Sequence, residues 1–437
     1  MFYIVDEVPG SGKTCAAINF INNAPRSSRF LFVTPFISEV NRICERCGFV
    51  QPPDELTVEK PDKEIERRKA YKRVEIRKLI AKEKNIATTH SLFSLLDDQT
   101  IEMLKNKNYI LILDEALEVV EPWDVIEYDV DLMLRSYCYT DEHGLVKWRE
   151  DKMDYPDEGG VYSEIKKELT NKTIAVSENK SAVKMFPVEY FKSFKDVYVL
   201  TYLFQGSPQR MYFDYHNIEY VNMYIAGNSV ETYRFTDDKQ SPRKINYTDL
   251  ITITEGKINQ IGEDQSLSYK WYEKQIQSDD ALGYLKEIGK NAENFFKHKT
   301  KLSSKYYLWT TFKDARRYIK GDSRTFSETQ FLSYTARATN NYSSRKVLAY
   351  LINKRMNPII RNFFKSFSIT VDEDTYSTNE MIQWIWRSAI RKGEKIQIYI
   401  PSLRMRTLLV RWVENNSTTE VINKKQLLKR QMKRRKI

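Results

Sequence analysis

The chain has 437 residues, a net charge of +11 and an apolar share of 41%. That length suits two or three domains of roughly 100–200 residues each, and the apolar share suits packed cores, which excludes a disordered chain. No apolar run approaches the roughly 20 residues of a bilayer span, and four cysteines (Cys15, Cys44, Cys47, Cys138) are too few for a disulfide framework. Residues 1–6 carry no basic run and no small-residue cleavage site, so they read as a strand and not a secretory leader. The expectation is a cytoplasmic protein with no membrane partner. Aromatic residues at 13% beside the basic excess suit a polyanion whose bases can stack.

In chain order, the apolar Met1–Asp6 leads into a Gly-rich loop, and Thr14–Ile21 reads as a helix. Strand, loop, helix is the setting a phosphate loop requires. Arg29–Thr34 reads as a second strand, followed by a helix through Val40 to Arg46. Cys44 and Cys47 have the spacing of half a zinc site, but no second pair exists, and a stray pair beside a helix is the plainer reading. Residues 60–84 hold eleven basic and five acidic side chains on one expected long helix, either a solvated face or a nucleic-acid contact. Ile86–His90 reads as a short strand end. Tyr109–Leu113 is continuously apolar, as suits a strand buried on both faces of a parallel sheet, and it ends in Asp114-Glu115.

Residues 121–190 read as an insertion. Val197–Thr201 is another buried strand, and 206–245 reads as strands with a polar linker. The segment 226–245, with its Gly, Asn, Asp, Ser and Pro, marks the expected domain boundary. The second half restarts the alternation of helix and strand. Helix is expected at 280–298 and 313–319, strand at Tyr306–Thr311, Phe331–Tyr334, Val347–Ile352 and Ile396–Ile400, and helix at Glu380–Arg391. Residues 424–437 hold eight Lys or Arg and no acid, a basic tail that suits DNA or a protein partner.

Three constellations carry chemistry. In Pro9-Gly10-Ser11-Gly12-Lys13-Thr14, the glycines let backbone N–H groups approach phosphate oxygens without a Cβ in the way. Lys13 places a charge on the β- and γ-phosphates, and the Thr14 hydroxyl sits where a Mg2+ ligand is required. The helix that follows aims its positive end at the phosphates. The usual pattern opens with Gly where this chain has Glu7. In the second constellation, Asp114 is placed to hold Mg2+ and Glu115 to accept a proton from the attacking water. Adjacent acids after an apolar strand are costly unless they face a metal or a cleft. In the third, Gln383, Arg387 and Arg391 are spaced to share one face of the expected helix, and two aligned arginines suit a γ-phosphate.

Together these motifs resemble a superfamily 2, DEAD/DEAH-like nucleic-acid helicase, of the kind found in phage replication modules. Pro9–Thr14 resembles motif I, and Asp114-Glu115-Ala116-Leu117 resembles motif II. Gln383–Arg391 resembles motif VI, with Trp386 where Gly is usual. Thr34-Pro35-Phe36 resembles motif Ia, and Thr88-Thr89-His90 the threonine-bearing motif that follows it. Leu200-Thr201-Tyr202 stands where motif III has Ser-Ala-Thr, making Thr201 the coupling residue. Thr310-Thr311-Phe312 resembles motif IV. Thr335–Asn340 resembles motif V, with Arg337 within it, Ala338 in place of Gly, and Asn340 where an acid often meets the ribose.

The resemblance implies two tandem RecA-like, doubly wound parallel-sheet α/β domains with an insertion and a basic C-terminal tail. The first would span 1–225 with the insertion at 121–190, the second 226–415, and the tail 416–437. It further implies ATP and Mg2+ bound between the two domains. Lys13, Thr14, Asp114 and Glu115 would act from the first domain, and Gln383, Arg387 and Arg391 from the second. Single-stranded or forked DNA, or RNA, would cross Thr34, Pro35, Thr88, Thr89, Thr310, Thr311, Thr335 and Arg337. Replication proteins are possible partners, and a phage-encoded chain would work in the host cytoplasm. Two alternatives stand beside a DNA helicase: a nucleic-acid-stimulated ATPase that moves without separating strands, and a P-loop kinase or signalling NTPase.

Overall fold

The computed structural model describes residues 1–53, 61–123, 125, 127–156, 159–160, 162–171, 173–239, 245–278, 282–321, 323, 325–336 and 341–417. Arg337, Asn340 and the basic tail from 418 onward lie outside the described residues. The chain divides into two compact units, Met1–Gln240 with Arg355–Asn379, and Ser241–Lys354 with Glu380–Ile437.

The first unit is built on a seven-stranded sheet. Its order is Arg234–Thr236, Val221–Ala226, Phe2–Asp6, Asp196–Thr201, Tyr109–Asp114, Arg29–Thr34 and Ile86–Thr89. Every pairing is parallel except the edge pair of Arg234–Thr236 with Val221–Ala226. The register sets Ile4 beside Val199, Val199 beside Leu113, and Leu113 beside Val33. Alternate residues then serve opposite faces. Ile4, Val33, Leu113 and Val199 pack into one core, and Val5, Phe32, Ile112 and Leu200 into another. Covering both faces explains why these strands read as unbroken apolar runs.

Parallel pairing also brings the strand ends to one edge. Asp6, Thr34, Thr89, Asp114 and Thr201 each close their strand there. The C-terminal edge is where open α/β sheets place their ligands.

The segment expected to be an insertion has its own small core. Val120–Pro122, Ala182–Met185 and Thr173–Val176 form an antiparallel sheet, with Cys138–Thr140 and Val146–Trp148 as a separate pair. Trp123, Met133, Cys138 and Ile174 are buried within it. The long basic helix forms over Pro61–Ala81 and buries Ile76 and Ile80 in the first core. Arg77 is ion-paired to Asp97 and donates to the Thr100 hydroxyl at 3.0 Å, so part of that helix is structural.

The first unit runs past the boundary expected at 226, because Arg234–Thr236 completes its sheet. It also takes back Arg355–Asn379. Helix Pro358–Ser366 inserts Ile360, Phe363 and Phe364 into the core that contains Val120 and Met185. Residues 206–217 are mainly helical, with Pro208–Tyr215 opened by the Ser207 hydroxyl, and not the strands expected there.

The second unit carries a four-stranded, wholly parallel sheet, in the order Ile251–Thr254, Ile396–Tyr399, Val347–Tyr350 and Tyr307–Thr310. Ile398 stands between Ile253 and Leu348, and Leu348 beside Leu308. Phe331–Tyr334, expected as a strand, makes only one bridge, between Phe331 and Trp309. The α/β class with parallel sheets is thus as the sequence led us to expect.

Candidate active site

The phosphate loop joins strand Phe2–Asp6 to helix Lys13–Asn22. Gly10 and Gly12 have φ values of +85° and +94°, a region in which a Cβ is strained. The Ser11 N–H donates to the Val8 carbonyl at 3.1 Å and closes the turn. Lys13 folds its ammonium back onto the loop, donating to the Glu7 carbonyl and to that of Val8 at 3.1 Å. Burial pushes the Lys13 ammonium down to about 8, while Asp114, Asp6, Glu7 and Glu115 hold it up.

The Thr14 hydroxyl donates to both oxygens of Asp114, at 3.3 and 3.4 Å, across a sequence separation of 100 residues. Burial raises the Asp114 carboxyl to about 7; Glu115 and Glu39 push the same way, and Lys13 and Thr14 oppose. Lys13 and Asp114 are therefore both drawn toward neutrality by a site short of water. An anion beside Lys13, or a cation beside Asp114, would restore their charges.

Glu115 sits at φ +73°, a left-handed backbone that non-glycine residues seldom adopt. Its N–H donates to the Leu200 carbonyl at 2.9 Å, fixing the turn to the neighbouring strand. His90 is 8% exposed, and its Nε2 lies 3.2 Å from the Asp114 carbonyl oxygen. Gln209 is fully buried, and its Oε1 accepts the Leu117 N–H at 3.1 Å. Asp6 accepts the Phe204 N–H at 3.0 Å, and burial raises its carboxyl above the ordinary range. The acid turn is thus held by Leu200 of the neighbouring strand, by His90 just after the edge strand and by Gln209 of helix Pro208–Tyr215.

Other expected site residues are placed differently. Thr34, Thr88, Thr310 and Thr311 are at most 2% exposed, so their side chains cannot touch a nucleic acid as placed here. Thr34 and Thr310 end their strands, Thr88 is next to last in its own, and Thr311 follows its strand. Thr89 is half-buried, and its hydroxyl caps the short helix His90–Phe93 by accepting the Leu92 N–H at 3.3 Å. Pro35 is half-buried. Thr335 is exposed, its hydroxyl 2.8 Å from that of Ser333. Thr201 is 4% exposed, and its carbonyl accepts the Glu7 N–H at 3.1 Å, tying that strand end to the phosphate loop.

The helix expected at Glu380–Arg391 spans Glu373–Ile385 instead. Gln383 lies in its last turn, Arg387 in the turn that follows, and Arg391 in the short 3-10 helix Ala389–Lys392. A shared face at i, i+4, i+8 therefore does not form. Trp386, just past the helix end, packs its ring against Tyr247 and Trp412, with centroids 5.7 and 5.3 Å away. Arg387 is 9% exposed, whereas Arg391 is exposed.

The family profile described as the YonV C-terminal Rossmann-like domain matches residues 245–413. The SPbeta prophage-derived uncharacterized protein YonV of Bacillus subtilis (strain 168) is 35% identical over 424 residues, covering 94% of this chain and 98% of that one. The chain belongs to the YonV family. Among solved structures, one titled XPD_Helicase has a TM-score of 0.45 at 11% identity, covering 96% of this chain and 95% of its own. S. tokodaii Xpd4 has a TM-score of 0.43 at 11% identity, covering 94% of each.

In this YonV-family chain, sequence reading missed three residues whose contacts shape the site: Asp6, His90 and Gln209. Asp6 carried a usable signal, since it ends an apolar strand just as Asp114 does. Gln209 carried none, because nothing local marks a glutamine that will be fully buried. Among the described residues, no cluster of three or more His, Cys, Asp or Glu gathers as a metal centre, and no helix is long and apolar enough to cross a membrane.

Proposed function

We propose that this chain is an ATP-dependent nucleic-acid helicase or translocase, acting on DNA in a phage replication setting. The observation that carries the reading is the contact between the Thr14 hydroxyl and the Asp114 carboxylate, at 3.3 and 3.4 Å, in a loop that also holds Lys13. Two distant segments, each readable on its own as half of a phosphate-transfer site, meet at their reactive residues. The prophage origin of the Bacillus subtilis relative supports the phage setting.

The donor set suits Mg2+: a hydroxyl and a carboxylate are hard oxygen ligands, and this ion commonly takes one or two protein oxygens beside water and phosphate. Thr14 and Asp114 would hold the ion, and when bound it would supply positive charge to offset that of the phosphates. The chain's own residues do the rest. Backbone N–H groups from Gly10 to Thr14 receive phosphate oxygens at the helix start. The Lys13 ammonium leaves the Glu7 and Val8 carbonyls for the phosphates. Glu115 takes a proton from the attacking water as the water oxygen bonds to the γ-phosphorus. The bond from that phosphorus to the bridging oxygen breaks, and ADP and phosphate leave. Thr201, linked to the loop through the Glu7 N–H, relays the change at the γ-phosphate to the rest of the first unit.

A forked DNA duplex with one labelled strand tests the reading. Strand separation that needs ATP and fails with a non-hydrolysable analogue supports a helicase. DNA-stimulated hydrolysis without separation assigns a translocase. Hydrolysis indifferent to DNA and RNA, with no separation, removes the nucleic-acid role and leaves the signalling NTPase reading.

A further inference from the structure

We propose that Tyr233 is the base-contacting residue of the nucleotide site, stacking on a purine held beside the phosphate loop; this rests on the reading of that loop as an ATP site. The Tyr233 ring lies against Gly12, with its Cδ2 and Cε2 atoms 2.6 Å from where a Cβ on that glycine would stand. Gly12 caps the phosphate-loop helix, so the ring is one residue from Lys13 and two from Thr14. The neighbouring groups, Asp6, Lys13, Thr14, Asp114 and Glu115, are charged or carry a hydroxyl. They suit phosphate and metal but offer a base no flat apolar surface. Tyr233 supplies one.

The backbone that carries the ring is held in place. Asn19, on the same helix as Lys13, donates from Nδ2 to the carbonyls of Val230 and Tyr233, at 2.9 Å each. The Thr232 hydroxyl accepts the N–H groups of Asn228 and Ser229 at 3.2 and 3.0 Å. The Tyr233 N–H donates to the Ser229 carbonyl at 3.1 Å. Gly227, at φ +98°, has room for no side chain, because a Cβ there would stand 2.3 Å from the Thr232 carbonyl oxygen. The ring also packs at the edge of the core that holds Val5 and Ala16. The turn between strands Val221–Ala226 and Arg234–Thr236 is thus tied to the helix that follows the loop, and the Tyr233 ring lies against the loop glycine. A stacking contact gives affinity without a hydrogen-bond code, because every base has a π-face. The site should therefore accept ATP and GTP alike.

Equilibrium binding of ATP, GTP and inorganic tripolyphosphate, each with Mg2+, tests this in the full-length chain. Loss of one stacked base contact corresponds to a drop of roughly tenfold or more. Tyr233→Ala should weaken ATP and GTP by that amount and leave tripolyphosphate unchanged, while Tyr233→Phe should bind all three like the unaltered chain. Equal effects on all three ligands would overturn the proposal, because the ring would then merely cover the phosphate loop. No effect on any would overturn it too. Lys13→Ala should weaken all three. If the unaltered chain binds none of them, the ATP-site reading itself fails, and this proposal falls with it.

Discussion

The Thr14 hydroxyl donates to Asp114 at 3.3 Å, and Glu115, the next residue, stands at φ +73° with its N–H held by the Leu200 carbonyl. On the proposed reading, one turn meeting one loop supplies a hydroxyl and a carboxylate to hold the metal and a second carboxylate to take the water proton. Glu115→Gln keeps shape and removes the proton acceptor. We expect ATP turnover to fall on the order of 10²–10⁴-fold while ATP binding stays within a few-fold. Single-turnover hydrolysis beside equilibrium binding measures both.

Gln209 accepts the Leu117 N–H at 3.1 Å, so any effect on turnover would act through the acid turn and not on substrate. Gln209→Leu leaves that N–H buried without its acceptor, which costs roughly 1–3 kcal/mol. Stability measured by denaturant should fall by that amount. If the acid turn shifts as well, kcat should drop with little change in the KM for ATP. A lower stability with unchanged kcat would limit Gln209 to a structural role.

Gly12 answers to two constraints at once. Its φ of +94° disfavours any side chain, and a Cβ would meet the Tyr233 ring at 2.6 Å. Gly12→Ala should lose ATP binding, with roughly 1–2 kcal/mol of backbone strain. Adding Tyr233→Ala relieves the contact but not the strain, so the double variant should regain stability only in part. Thermal unfolding of the single and double variants checks this.

His216 gives a pH dependence away from the site. Burial holds its imidazole down to about 4, helped by Lys192 and His143, and its ring packs on Tyr212 with centroids 4.4 Å apart. The folded pKa lies below the unfolded value of about 6.5, so the unfolded chain binds more protons between those limits. The contribution is fully present above about pH 6.5, is lost as pH falls toward 4, and levels off below that, with an upper bound of about 3 kcal/mol. His216→Phe should flatten this part of the stability profile measured by urea unfolding from pH 7 to pH 4. A variant whose profile keeps the full slope would assign the loss to other groups.

Arg387 and Arg391 separate by burial. Arg387 is 9% exposed, so Arg387→Ala should lower stability. Arg391 is exposed, so Arg391→Ala should leave the melting temperature unchanged. If Arg391 stabilises the transferring phosphoryl group, turnover should still fall in that variant; full turnover would remove it from the mechanism.

What was legible in the sequence follows the range of the forces involved. Tyr109–Asp114 and Arg29–Thr34 were readable because a strand covered on both faces must be apolar throughout, and the phosphate loop because its glycines and lysine are local needs. The return of Arg355–Asn379 to the first unit was not readable. The apolar stripe of Ile360, Phe363 and Phe364 looks the same whichever core receives it. The helix end at Ile385 was hidden because no Gly or Pro marks it in the sequence. The threonines at the strand ends were found as positions, but their burial depends on neighbours the local pattern does not name. Tyr233 was missed because its partner, Gly12, lies more than two hundred residues earlier.

The central claim is that Lys13, Thr14, Asp114 and Glu115 form an ATP-hydrolysing site. Steady-state release of phosphate from ATP and Mg2+, with and without single-stranded DNA, tests it most directly. The account predicts turnover that rises with DNA and is abolished by Lys13→Ala and Glu115→Gln in chains that remain folded. Turnover that survives both substitutions, or no turnover under any condition, would contradict it.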